Sequence, residues 1–364
     1  MKIMDETPKD VPTDPDSGSE FEFIARVRQQ ASQRVESGSA IGLTRGIGDD
    51  AAVVEQIAGR ESVITTDLLV EGIDFHRNTG TPFLLGHKAL AVSLSDIAAM
   101  GAQPKWALLS VGVPNEVWES NFLERFYEGF LSLADRYDTK LIGGDTSRTL
   151  EKVVIDSIVI GECARGKSIP RSGAKPGDQI FISGSLGGAA AGLRLLEYGA
   201  RIGMNTTPQE ETSPAVDLLL RRHLQPEPRV GWGMILGQES LATAMIDISD
   251  GLSSDLTHLC KESRVGALID SAHLPLNPSV TALSGRRALD PLMLALHGGE
   301  DFELLFTVAP EKIAKLPRKV DGVTISHIGE VLPATEGVKI RERSHLWNLE
   351  PAGWDHFGSL QPSR

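Results

Sequence analysis

Cysteine is scarce. The 364 residues contain only two, Cys163 and Cys260. A disulfide framework is therefore excluded, a thiolate metal site is disfavoured, and a reducing compartment, the cytoplasm, is expected. Long apolar runs are missing as well: no stretch approaches the roughly 18 residues that a bilayer-spanning helix needs. Positive charge is in deficit, with 36 Lys and Arg against 49 Asp and Glu, a formal net charge of −13. That balance argues against nonspecific binding to nucleic acid or to an anionic membrane. It leaves phosphorylated ligands open, because a bound metal reverses the local sign. No two histidines fall at His-x-x-x-His spacing, which argues against zinc. There is no Gly-x-Ser-x-Gly elbow, and neither cysteine sits in a nucleophile setting.

What the chain does have is acid at recurring places. Short signatures run from end to end: Gly46-Ile47-Gly48-Asp49-Asp50, Thr65-Thr66-Asp67, Leu94-Ser95-Asp96, Gly143-Gly144-Asp145, Asp247-Ile248-Ser249-Asp250-Gly251 and Gly298-Gly299-Glu300-Asp301. Most follow Val, Ile, Leu or Ala, so their carboxylates are expected at strand ends or on an apolar helix, half-buried or buried. An unpaired buried carboxylate is costly and calls for a cation. Several brought together make a site for a hard, oxygen-seeking ion such as magnesium. Taken singly, each has a plainer explanation. Asp67 could cap a turn, Gly143-Gly144 could form a tight turn, and Asp247 or Asp250 could cap a helix. Asp96 is the exception. It continues the apolar stripe Leu85, Ala89, Val92 of a helix expected from Thr81 to Met100, where a solvated face is not available.

The length suits two domains, and 41% hydrophobic with 23% charged residues is the balance of a soluble enzyme. Residues 1–20, rich in Asp, Pro, Ser and Thr, read as a disordered tail and not a signal peptide, with a targeting role as the alternative. Strands and helices then alternate. The aperiodic, Gly- and Pro-bearing stretch Gly161–Asp178 marks a boundary between an N-terminal domain at 21–160 and a C-terminal domain at 161–364. The pattern is α/β or α+β.

Two phosphate motifs also occur. Gly161, four residues, then Gly166-Lys167-Ser168 match the P-loop pattern after a strand. The helix that must follow is blocked by Ile169-Pro170-Arg171-Ser172-Gly173, so the match reads as accidental. Gly46-Ile47-Gly48 lacks the strand before and the helix after that a dinucleotide fingerprint requires. Arg171 and Lys175 could be merely solubilising, although an Arg beside a phosphate site supplies a planar fork.

In this order the signatures resemble the thiamine-monophosphate kinases, of the superfamily that includes aminoimidazole ribonucleotide synthetase. The most specific stretches are Ala91–Ala102, Ile246–Leu252 and Gly298–Leu304, and the likeness extends from about Phe21 to Phe357. It implies the two-domain fold of that superfamily and transfer of the ATP γ-phosphoryl group to thiamine monophosphate. It implies magnesium ligation by Asp50, Thr65, Thr66, Asp67, Asp96, Asp145, Asp247 and Asp250. It implies ATP contacts from Gly144, Arg171 and Ser249, substrate contacts from Glu300 and Trp354, and a homodimer built on the N-terminal domains through their mixed sheet. At one position the pattern slips: the family has His where this chain reads Gly72-Ile73-Asp74-Phe75, so Asp74, or the nearby His76, is expected to make that substrate contact. The alternatives are another ATP-dependent kinase or ligase of the same superfamily, or a non-catalytic metal- and nucleotide-binding protein. The chemistry suits the residues. A phosphate acceptor with a second pKa near 6 is already largely anionic. No general base is needed, and none is evident.

Overall fold

The computed structural model describes residues 26–27, 29–30, 43–45, 53–54, 57–202, 214–287 and 289–354. The 1–20 tail and the segment Gly46–Ala52 with Asp50 lie outside them.

The N-terminal half is organised by one helix, α1 (Pro82–Ala99). Thr81 starts it: its hydroxyl accepts the Leu84 N–H at 3.4 Å, and Pro82 occupies the first turn, where its missing N–H costs nothing. Leu90, Leu94 and Ile97 are fully buried, and so are Lys88, Ser93 and Ser95, polar groups that need partners. Val117–Tyr137 reads as one helix in the sequence but is two, α2 (Asn115–Trp118) and α3 (Phe122–Arg136). Gly86 of α1 and Gly129 of α3 let the two helices touch backbone to backbone. A Cβ on Gly86 would lie 1.9 Å from the Phe126 carbonyl oxygen, and one on Gly129 the same distance from that of Phe83. Gly86→Ala is expected to destabilise the protein by about 3 kcal/mol through overpacking. A urea midpoint unchanged by the substitution would show that the helices can part freely.

Against these helices lies a four-stranded mixed sheet. β1 (Leu43–Arg45) and β2 (Val53–Val54) form a separate ladder. The sheet itself comprises β3 (Arg60–Val70), β4 (Gln103–Val113), β5 (Lys140–Arg148) and β6 (Val154–Ala164), in the order β3-β6-β4-β5. β4 and β5 run parallel and the other neighbours antiparallel. β3 pairs with β6 along all 11 of its residues. Asp67 therefore sits inside a strand, not at its end. Asp145 does too, because β5 continues through Gly143-Gly144. Gly144 permits this: a Cβ there would lie 2.0 Å from the Leu109 carbonyl oxygen.

The C-terminal half carries the larger sheet. Its strands are β7 (Gln179–Ser183), β8 (Ala242–Asp247), β9 (Val265–Asp270), β10 (Leu304–Val308), β11 (Lys319–Val320), β12 (Val323–Pro333), β13 (Val338–Glu342) and β14 (His345–Asn348). Their order is β14-β13-β9-β12-β7-β10-β8, with β11 beside β12, and only β9 and β13 pair in parallel. The helices are α4 (Gly188–Glu197), α5 (Pro214–Leu224), α6 (Val230–Gln238), α7 (Leu252–Ser263), α8 (Pro278–Arg287) and α9 (Pro291–His297). The halves share one core. Trp232 of α6, Phe181, Met245 and Phe306 pack in the same apolar cluster as Ala98 of α1. That shared core brings the end of β8 beside the middle of α1.

Candidate active site

The site grows from α1. Its segment Ser93–Asp96 reaches both halves. Thr65 on β3 donates its hydroxyl to Asp96 Oδ2 at 2.5 Å, and Ser93 donates to Asp67 Oδ2 at 2.8 Å. Ser95 donates across the interface to Asp247 Oδ2, at the end of β8, at 2.7 Å. Thr66 faces the other side of the sheet and donates instead to Asp156 Oδ1 at 2.6 Å.

These carboxyls crowd one another. Burial, with the charge of Asp96 added, pushes Asp67 up to about 7. Burial and the charges of Asp96 and Asp67 push Asp247 up to about 7. Burial raises Asp96 too, opposed by its Thr65 hydrogen bond and by Arg171. Burial, Asp247 and Asp250 push Asp255 up to about 8. Among the described residues, no three acidic, His or Cys side chains converge on one ligating point. The donor set is nonetheless oxygen alone, carboxylate and hydroxyl, which suits magnesium in chemistry. A cation among them would offset the repulsion that raises these groups.

A pH dependence follows. In the folded chain these aspartates hold protons that the unfolded chain, with Asp near 3.8, has already lost. Their contribution to stability is therefore lost as pH rises through about 7 to 8. The melting temperature of the cation-free protein is expected to fall between about pH 5 and about pH 8, and added magnesium to oppose the fall. A melting temperature that is flat over this range and indifferent to magnesium would remove the repulsion from the account.

The turn after β8 is held from inside. Asp255 Oδ2 accepts the N–H groups of Asp250 and Gly251 at 3.2 and 3.0 Å. Gly251, at φ 115, takes the cap position of α7, so Asp250 is not the helix cap. The C-terminal segment is pinned to the same turn. The Gly353 N–H donates to Ser254 Oγ at 3.0 Å, and the Trp354 N–H donates to the Asp250 carbonyl at 3.1 Å.

Beside the acids lies a cavity of about 720 Å³, which falls in the range of small-ligand sites. Asp67, Asp74, His76 and Lys88 line it from the N-terminal half, and Ser249, Asp250, Glu300 and Trp354 from the C-terminal half. Trp354 is about half exposed, at 52%. Glu300 is paired twice, with Lys88 Nζ at 2.7 Å and His223 Nδ1 at 2.8 Å. The Asp74 carboxylate accepts the Val70 N–H at 2.8 Å and so closes its own turn, while His76 is exposed at the cavity wall.

The expected residues are thus only partly gathered. Thr65, Asp67, Asp96 and Asp247 form one cluster, with the exposed Arg171 acting on Asp96 and Asp247. Asp250, Ser249, Glu300 and Trp354 meet at the cavity. Gly144 and Asp145 are exposed on β5, and Asp145 is not among the charges that act on Asp67, Asp96 or Asp247. The P-loop match is no phosphate cradle. Gly161 lies inside β6, no helix follows Lys167, and Lys167 donates to Ser240 Oγ at 2.5 Å. Sequence reasoning missed Ser93, Ser95, Asp156, Asp255, Lys88 and His223. Polar residues inside the apolar run of α1 were a signal for the two serines and Lys88. Asp156 and His223 carried none.

The family models for AIR synthase related proteins match this chain twice, the N-terminal domain at residues 48–163 and the C-terminal domain at 175–341. The thiamine-monophosphate kinase of Bacillus subtilis is 38% identical over 86% of this chain and 93% of its own length. That of Escherichia coli strain K12 is 38% identical over 93% and 98%. Among solved structures, the thiamine-monophosphate kinase of Stenotrophomonas maltophilia superposes with a TM-score of 0.77 at 36% identity, covering 90% of this chain and 98% of that one. AaThiL complexed with AMPPCP and TMP superposes with a TM-score of 0.72 at 34% identity, covering 93% and 97%. The two-domain fold is that of the AIR synthase related proteins. Within them, the chain belongs to the thiamine-monophosphate kinase family.

Proposed function

We propose that this protein transfers the γ-phosphoryl group of ATP to thiamine monophosphate, giving thiamine diphosphate and ADP. One observation carries the reading: Asp67 and Asp250, members of the acid set from opposite halves, both line the cavity that also holds Glu300 and Trp354. The complex of AaThiL with AMPPCP and TMP supports the same pair of ligands.

The acceptor phosphate is mostly a dianion at neutral pH. Its oxygen bonds to the γ-phosphorus as the bridging P–O bond to the β-phosphate breaks, and that electron pair leaves with ADP. No side chain has to take a proton. Magnesium held by Asp50, Thr65, Thr66, Asp67, Asp96, Asp145, Asp247 and Asp250 would neutralise the phosphates and align them. Ser93, Ser95 and Thr65 orient three of those carboxylates. Gly144, Arg171 and Ser249 contact ATP, with Arg171 offering the planar fork that phosphate favours. Glu300 and Trp354 contact the thiamine moiety, and Asp74 forms part of the wall.

The reading includes a division at residues 160/161 and a homodimer through the outer face of the first sheet. In support of the dimer, Ile64 and Leu68 stand 66% and 60% exposed on one face of β3. It also includes the cytoplasm as location, in keeping with two free, buried cysteines. No described helix is long and apolar enough to cross a membrane.

The test is ADP release with ATP and magnesium, in the presence and absence of thiamine monophosphate. Release that requires the acceptor is expected. Release without it points to another member of the superfamily, and no release in either arm points to a binding protein.

A further inference from the structure

We propose that Lys88 and His223 are positioning residues that fix Glu300 as an acceptor-only carboxylate, and that this carboxylate selects the amino group of the substrate's pyrimidine ring. The inference rests on the reading of thiamine monophosphate as substrate and says which end of it faces which wall.

The three residues come from three elements: Lys88 from α1, His223 from α5, and Glu300 from the loop between α9 and β10. Lys88 and His223 are buried, with side chains 3% and 8% exposed, while Glu300 keeps 30% of its surface open at the cavity. Lys88 Nζ lies 2.7 Å from Oε1 and His223 Nδ1 lies 2.8 Å from Oε2, both at ion-pair distance without the angles of a hydrogen bond. A carboxylate has about four lone-pair directions, which leaves Glu300 acceptor capacity for a ligand.

The backbone is committed to this placement. Glu300 sits at φ 66 and Phe302 at φ 50, both left-handed and neither glycine. Such strain persists where the surroundings over-determine it. Here the Glu300 N–H donates to the Ser249 carbonyl at 2.8 Å and the Phe302 N–H to the Ile248 carbonyl at 2.9 Å. Burial opposes ionisation of Glu300, but Lys88 and His223 hold its carboxyl down at about 2. Burial and Lys88 push His223 below its ordinary value, opposed by Glu300.

The cavity wall is mixed in character. Asp67 and Asp250, the acids proposed to hold cations, line it and are assigned to the phosphate. Glu300 repels a phosphate, and the charge of Lys88 is already engaged. Leu84, Leu85, Phe122, Leu193 and Leu224 line other parts of the wall and suit an aromatic ring. A ring set there meets a carboxylate that accepts and never donates. An amino group satisfies it. A carbonyl in the same place leaves it unpaired, and that kind of mismatch is strongly rejected.

The experiment compares thiamine monophosphate with its oxythiamine counterpart, in which a carbonyl replaces the pyrimidine amino group. Wild type is expected to prefer the amino form by at least about tenfold in kcat/KM. Lys88→Met and His223→Phe are expected to raise KM for thiamine monophosphate by about tenfold or more, to change kcat and KM for ATP by less than about threefold, and to erase most of the preference. Lys88→Arg should restore part of it. Glu300→Gln is nearly isosteric and offers a donor as well as an acceptor. It should narrow the preference even if the other variants fail to fold. Folded variants that keep both KM and the preference overturn the inference while wild type still makes thiamine diphosphate. Wild type that makes none overturns the reading beneath it.

Discussion

Asp247→Asn is expected to lower kcat/KM by at least about 100-fold, about 2.7 kcal/mol of transition-state stabilisation, while leaving the fold at least as stable. The two effects have one origin. Asp247 is almost wholly buried, and besides burial the charges of Asp96 and Asp67 push it up to about 7. The asparagine keeps an oxygen for the Ser95 hydroxyl, which donates to Asp247 at 2.7 Å. It removes the like-charge repulsion and, with it, the anionic ligand proposed for magnesium. Above about pH 7 the melting temperature of the cation-free variant should equal or exceed that of wild type. Steady-state kinetics and thermal melts on the same preparation check both halves. A variant that is fully active, or one that is inactive because it is unfolded, would each contradict this account of Asp247.

Glu303→Gln is expected to have the reverse profile, a large loss of stability. Glu303 is fully buried and holds two arginines. Arg229 approaches with Nε and Nη2, each 2.5 Å from a different carboxylate oxygen, and Arg222 Nη2 lies at 3.0 Å. Ser183 donates at 2.7 Å. Burial works against the Glu303 charge, but the arginines hold its carboxyl below the usual range. Removing that charge takes from Arg229 its paired carboxylate and leaves Arg222 with Asp301 alone, at 3.8 Å. Breaking a buried pair in this way costs about 3–5 kcal/mol. Glu303 lies three residues from Glu300 in the same loop, so surviving folded protein should also bind substrate less well. Chemical denaturation measures the first effect and KM the second. A denaturation midpoint within experimental error of wild type would show that Arg222 and Arg229 find other partners.

The sequence was most legible where local chemistry and burial agree. Thr81 marked the start of α1, and the apolar stripe Leu85, Ala89, Val92 followed from it. Legibility failed where pairing overrode local signals. Thr65-Thr66-Asp67 looked like a strand end, yet eleven rungs of pairing to β6 carry β3 through it. Gly143-Gly144 looked like a turn, yet the glycines serve a close approach of β5 to β4. The site divides in the same way. Asp96 announced itself as an acid on an apolar stripe, and it does sit at the centre of the cluster. Asp156 and His223 became visible only in three dimensions, because their partners lie on other elements. The pairing of His223 with Glu300 spans 77 positions of chain and left no spacing to read.

The central claim is that two phosphate groups are joined at a site divided between the halves. Phosphorus NMR of the protein with ATP, magnesium and thiamine monophosphate tests it most directly. The account predicts that the thiamine monophosphate signal is replaced by the paired resonances of thiamine diphosphate, in step with ADP. ADP accumulating with inorganic phosphate, while thiamine monophosphate stays intact, would contradict it.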